Sequence, residues 1–95
     1  MKNKKVKIAT MMPGVYLFAK ISSTFMCRGE MFFTHKLNSG LWRVTHYETG
    51  VYVVFAELTR KKAKQESIDK MIDEEKNLID KLKNLYLKIN KVEDL

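Results

Sequence analysis

Four cations fall within five residues at Arg60, Lys61, Lys62 and Lys64, directly after Thr59. Thr59 has the chemistry of a helix N-cap, since its hydroxyl can accept from a backbone amide two or three residues on. A capping box would place Glu or Gln three residues after the cap, but Lys62 stands there. Cations in a first helical turn oppose the helix dipole, by roughly a few tenths of a kcal/mol each. The segment therefore unites free amides, a positive helix end and up to four cationic side chains, which is the chemistry of a phosphate-type anion site. At helical spacing Arg60 and Lys64 share one face and can converge on one anion, while Lys61 and Lys62 diverge. A solvated charged turn is the plainer reading of the same residues, and the sequence leaves both open.

Aromatic residues are interleaved with this charge: Tyr16, Phe18, Phe25, Phe32, Phe33, Trp42, Tyr47, Tyr52 and Phe55. On a sheet such rings can stack a base. In a small domain most of them must be core. Trp42, next to Arg43 and close to a glycine turn, is the first choice for stacking, and Tyr47 the second. The expected anion or nucleotide site thus comprises Thr59, Arg60, Lys61, Lys62 and Lys64 with Trp42, Arg43 and Tyr47. Lys2, Lys4, Lys5 and Lys7 read as a basic arm able to contact nucleic acid. Neither a phosphate-binding glycine-rich loop nor a ribonucleoprotein signature is present.

Catalysis and metal binding find little support. His35 and His46 sit in two similar phrases, FTHK and VTHY. With Cys27 they offer three zinc-type ligands without a familiar spacing. If Lys36 opposes Trp42 across a hairpin, the two histidines point to opposite faces. A nucleophile at Cys27, Ser22 or Ser23 would need a base with an orienting acid. The chain before Thr59 offers only Glu30, Glu48 and Glu57. The expectation is a protein that is not an enzyme and needs no cofactor or metal.

These residues need a scaffold. The chain has 95 residues, which amounts to one domain with a thin core. Hydrophobic residues make up 45% and charged residues 31%. Such a composition folds. The net charge is +7, which suits anionic partners. A single cysteine fits a reducing compartment, and the cytoplasm is expected. No apolar run reaches the roughly 20 residues that span a membrane, and the apolar start, split by Pro13-Gly14, reads as strand.

Residues 1–58 hold all four glycines, the proline and most of the β-branched and aromatic residues, whereas 59–95 are rich in Lys, Glu, Leu and Ile. The first set favours strands and the second helix. The expected fold is α+β: an antiparallel meander of four to five strands, then a long helix. Strands are expected over 5–10, 15–27 (as one strand or two, with a bend at Ser22-Ser23-Thr24), 30–37, 41–47 and 51–58. Turns are expected at Met12-Pro13-Gly14, Arg28-Gly29, Asn38-Ser39-Gly40 and Glu48-Thr49-Gly50. The last strand, VYVVFAEL, is apolar on both faces, so one face should meet the helix and the other a second cover, most economically another copy of the chain.

With Ile68 as heptad position a, the a and d positions through Val92 are apolar except Glu75. That is the seam of a helix packed on a helix. A helix from Thr59 to Val92 would be on the order of 50 Å long, more than the sheet can cover. The distal part should pack on another helix, from a partner chain or after a break near Glu74-Glu75-Lys76-Asn77; no breaker residue stands there, so Leu78, Leu82, Leu85 and Ile89 are expected to line a homo-oligomer interface, in a dimer or larger assembly.

The stretch WRVTHYETG, followed by TRKKAKQES, resembles a pattern in small uncharacterised proteins of phages and mobile elements: a Trp-x-Val-Thr strand, a Thr-Gly turn, a return strand and a Thr-x-x-x-Ala helix start. The resemblance covers residues 42–67 and implies origin more than activity. Phages use such proteins in host takeover and against defence systems. The expected function is capture of an anionic ligand, a nucleotide signal or a nucleic acid, to counteract host defence. The rival expectation is a protein inhibitor of a host defence nuclease, of anti-CRISPR or anti-restriction type.

Overall fold

The structure, a computed structural model, describes residues 5–9, 16–73, 77, 78, 80, 81, 84, 89 and 90. Among these residues the chain is α+β, with six antiparallel strands in two sheets and a helix after them. Strands β1 (Lys5–Ala9) and β2 (Tyr16–Lys20) pair as a two-stranded ribbon. Strands β3 (Ser23–Cys27), β4 (Glu30–Lys36), β5 (Trp42–His46) and β6 (Tyr52–Glu57) form a four-stranded meander in chain order. Helix α1 spans Arg60–Asp73.

The turns follow from local chemistry. Arg28 and Gly29 both take positive φ, 54 and 78 degrees respectively. Such angles suit a two-residue β3–β4 hairpin. Cys27 and Glu30 close it as Cα partners. Between β4 and β5 the Leu37 amide donates to the Leu41 carbonyl at 2.8 Å, and Gly40 takes a φ of 90 degrees. The resulting register sets Lys36 opposite Trp42. It also sends His35 and His46 to opposite faces. Between β5 and β6 the Gly50 amide donates to the His46 carbonyl at 2.8 Å.

Two cores lie on the two faces of the meander. On one, Phe32, Val44 and Val54 meet Ala63 and Met71 of α1, with Trp42, Phe25 and Leu78 packed at the margin. Ala63 is fully buried, a close approach of helix to sheet that a larger side chain would prevent. On the other, Phe33 and Tyr47 meet Val6, Ala19 and Ile21 of the first strands. The chain's own β1–β2 ribbon therefore covers part of this second face, over Phe33 and Tyr47, while Tyr52 and Phe55 of β6 stay exposed. The ribbon forms a separate sheet, so the expected single meander of all the strands is corrected to a pair and a four.

Strand β6 explains its double apolar pattern by irregularity. Register shifts against β5 fall between Trp42 and Val44 and between Val44 and Thr45. Such bulges insert extra residues on one strand and turn its side chains out of strict alternation. Val53 and Val54 are thus both buried, whereas Tyr52 and Phe55 remain exposed.

Helix α1 covers 14 residues, and much of the expected stretch from there to Val92 lies outside the described residues. Residues 77, 78, 80, 81 and 84 are helical as well. The amides of Ile89 and Asn90 donate to the Glu48 carbonyl, at 2.6 and 3.1 Å. The chain therefore comes back to the sheet instead of running away from it. Of the residues expected at an oligomer seam, Leu78 packs on the chain's own core and Ile89 is half-buried. Leu82 and Leu85 lie outside the described residues.

Candidate anion-binding seam

Helix α1 begins as its residues dictate. Thr59 Oγ1 accepts from the Lys62 amide at 3.1 Å, and the Thr59 carbonyl accepts from Ala63 at 3.0 Å. This is the expected N-cap. Ala63 then sets the helix tightly on the sheet. That contact decides where the cations go. Arg60 turns back over the sheet, with Cζ 5.7 Å from the centre of the Trp42 ring and Nη1 donating to Ser22 Oγ at 3.1 Å. Lys64, one turn on, places Nζ 5.3 Å from the centre of the Phe25 ring. From β4, Lys36 brings Nζ to 5.9 Å from the Trp42 ring.

The result is a seam between the start of α1 and the sheet, with Arg60, Lys36 and Lys64 set over Trp42 and Phe25. Cation–π contacts of this kind hold the side chains at about 0.5–1 kcal/mol each on an exposed surface. They leave the positive charge in place, and a guanidinium remains able to fork onto a phosphate. Ser22 adds a hydroxyl beside Arg60. The backbone there is fixed by the Ser22 amide donating to the Thr34 carbonyl at 2.9 Å, and Ser23 Oγ lies 2.7 Å from Thr34 Oγ1.

The residues expected from the sequence separate into groups. Thr59, Arg60, Lys64 and Trp42 come together at the seam. Lys61 and Lys62 are exposed and stand apart from it. Arg43 is on the opposite face of β5, because neighbours in a strand point to opposite sides. Its Cζ lies 5.1 Å from the Tyr52 ring centre and 4.4 Å from that of Phe55, and its Nε donates to the Phe55 carbonyl at 2.7 Å. Burial holds the guanidinium pKa below its ordinary value, while nearby Tyr52 acts to raise it. Tyr47 is corrected from a stacking residue to a core residue. It is 1% exposed and meets Phe33 edge to face at 6.1 Å. Lys36 is the seam cation that sequence reasoning passed over. The expected pairing of Lys36 with Trp42 was the signal for it.

A second polar cluster is buried. His46 Nε2 lies 2.9 Å from Glu30 Oε1, and His46 Nδ1 lies 2.8 Å from Thr49 Oγ1. Hydroxyl, imidazole and carboxylate stand in a line, as in a nucleophilic triad. Thr49 is 2% exposed, however, so no substrate reaches its hydroxyl, and the chain of bonds serves the turn. Ligand atoms of Glu30, His46 and Glu48 all lie within 4.8 Å of one another, so the group is compact enough for a cation. Both imidazole nitrogens already have protein partners, which accounts for the cluster without one. No family model, curated protein or solved structure matches this chain.

No helix among the described residues is long and apolar enough to cross a membrane.

Proposed function

We propose that this is a non-enzymatic binding protein that captures an anionic ligand, a nucleotide or a nucleic acid, along the Trp42 seam. The supporting observation is the convergence of Arg60, Lys36 and Lys64 on Trp42 and Phe25. It pairs phosphate-binding charge with rings that a base can stack on. The resemblance at residues 42–67 gives the setting: a phage or mobile-element protein acting against host defence in the host cytoplasm.

The test is the double variant Arg60→Gln with Lys64→Gln, assayed for affinity to mononucleotides and oligonucleotides and for melting temperature. Affinity is expected to fall by about 1.5–3 kcal/mol for each charged hydrogen bond removed. The melting temperature should fall slightly, because the Arg60 bond to Ser22 and two cation–π contacts are lost while relief of the positive helix end offsets only part of that. Unchanged affinity for every anionic ligand that the native protein binds would reduce the seam to a solvated turn.

A second reading has its own observation. Tyr52 and Phe55, 51% and 60% exposed, flank Arg43 on the other face of the meander. Tyr and Arg in such groupings anchor protein interfaces. An inhibitor of a host defence nuclease would use this patch, and Arg43→Ala would then abolish inhibition while leaving anion binding intact.

A further inference from the structure

The ribbon β1–β2 stands on the meander through Val6, Ala19 and Ile21, and its other face is turned to solvent. The register pairs Lys5 with Lys20, Lys7 with Phe18 and Ala9 with Tyr16. Paired residues share a face, and residues two apart on a strand share it too. The outward face therefore carries Lys5, Lys7, Lys20, Phe18 and Tyr16.

These residues form a small, ordered array. Lys5, Lys7 and Lys20 are exposed, Phe18 is 65% exposed, and Lys7 Nζ lies 5.7 Å from the centre of the Tyr16 ring. Lys5 and Lys7 are spaced about 6.8 Å along the strand. Among the described residues, the charges on this face are all positive. The chain has no acid before Glu30, and Glu30 itself is buried. An exposed phenylalanine between lysines leaves apolar area in water, which a stacked base would cover.

We propose that this outward face binds single-stranded nucleic acid, with Phe18 stacking a base and Lys5, Lys7 and Lys20 contacting phosphates along the strand. The inference rests on the reading that the protein's ligand is anionic, and it commits that ligand to a polymer. The shape supports the commitment. Small ligands are held in concave sites that bury most of their surface. A flat two-stranded ribbon encloses nothing, but it offers a track of charge and rings on which a strand can lie.

The experiment is fluorescence anisotropy with a labelled oligothymidylate of about 15 nucleotides, run at several salt concentrations. The proteins compared are native, Phe18→Ala, the triple variant Lys5→Gln/Lys7→Gln/Lys20→Gln, and the seam variant Arg60→Gln/Lys64→Gln. All of these substitutions are at exposed positions, and circular dichroism checks each fold. For the triple variant, the slope of log K against log salt should be shallower by about 2, from roughly 0.7 for each phosphate no longer neutralised. Phe18→Ala should weaken binding about tenfold at fixed salt.

If both ribbon variants bind as the native protein does while the seam variant does not, the ribbon proposal fails and the seam reading stands. The same division follows if the native protein binds a mononucleotide but no oligonucleotide. Binding to neither overturns both. Binding to phosphatidylserine vesicles through Phe18 and the lysines, with none to the oligonucleotide, makes the face a lipid-binding one and overturns the proposal.

Discussion

His46 shows how much one side chain can fix. Its two nitrogens reach Glu30 on the neighbouring strand and Thr49 within its own turn, while its amide and carbonyl bond Val51 and Gly50. Thr49 Oγ1 also accepts weakly from the Val51 amide at 3.4 Å, and Gly50 takes a φ of 69 degrees. The phrase His46-x-x-Thr49-Gly50 is thus the hardware of a turn, and it needs no ligand to explain it. The other histidine makes a testable statement about pH. His35 is buried, with Nε2 2.8 Å from Thr45 Oγ1, and its pKa is lowered to about 4 by burial first and by the charge of Arg43 second. The unfolded chain, with an ordinary value of 6.5, binds the proton more readily. The contribution to stability is therefore complete above about pH 6.5 and is lost as pH falls towards 4. Chemical denaturation of native protein and of His35→Gln should show a native loss larger by about 3 kcal/mol between pH 7 and pH 4. Equal losses in the two proteins would remove His35 from the account.

At the scale of elements, the β-turns were legible because their chemistry is local. Arg28-Gly29, Asn38-Ser39-Gly40 and Thr49-Gly50 each fall where positive φ is required, and Thr59 caps the helix as its type suggests. What was not legible is long-range. Nothing in the phrase KVKIA says that it leaves the meander to pair only with β2, because an alternating strand fits an edge or a separate ribbon equally well. Tyr47 failed as a site residue for the same reason: its face is decided by the ribbon that covers it. The heptad pattern after α1 left its partner open, since an apolar stripe records burial and not what does the burying; Leu78 of that stripe packs on the chain's own core. Asn90 is the clearest case of invisible tertiary pairing. Its Nδ2 donates to the carbonyls of Lys7 and Tyr47 at 2.8 Å each, and its Oδ1 accepts from the Lys7 amide at 3.1 Å. Asn90→Ala should therefore speed hydrogen exchange at the Lys7 amide while leaving β4 amides unchanged. Equal protection at Lys7 in both proteins would show that β1 does not depend on this clamp.

The whole molecule is electrically lopsided. Residues 1–47 hold eight cations and one acid, Glu30, which is buried, while the remaining ten acids follow from Glu48 on. A polyanion approaching in solution would be drawn to the excess charge of residues 1–47, and the attraction would weaken with added salt. Self-association remains our proposal at this scale. It rests on the apolar heptad positions after Leu78 and on the exposed Tyr52 and Phe55. Light scattering at micromolar concentration should report at least a dimer, and Leu82→Asp with Leu85→Asp should dissociate it, because each change buries an unpaired charge. A mass near the 11.2 kDa of one chain would end the proposal.

The ends of the four-stranded sheet are unequal, and this limits how copies could stack. Strand β6 is bulged twice, its Val53 carbonyl accepts from Lys70 Nζ at 2.8 Å, and its Phe55 carbonyl accepts from Arg43. Such an edge is a poor template for another strand. Head-to-tail growth, the route to open fibres, would need β3 of one copy to find β6 of the next. With β6 closed, β3 is the edge of the four-stranded sheet left for pairing among the described residues, and β3 joined to β3 about a two-fold axis would stop at two.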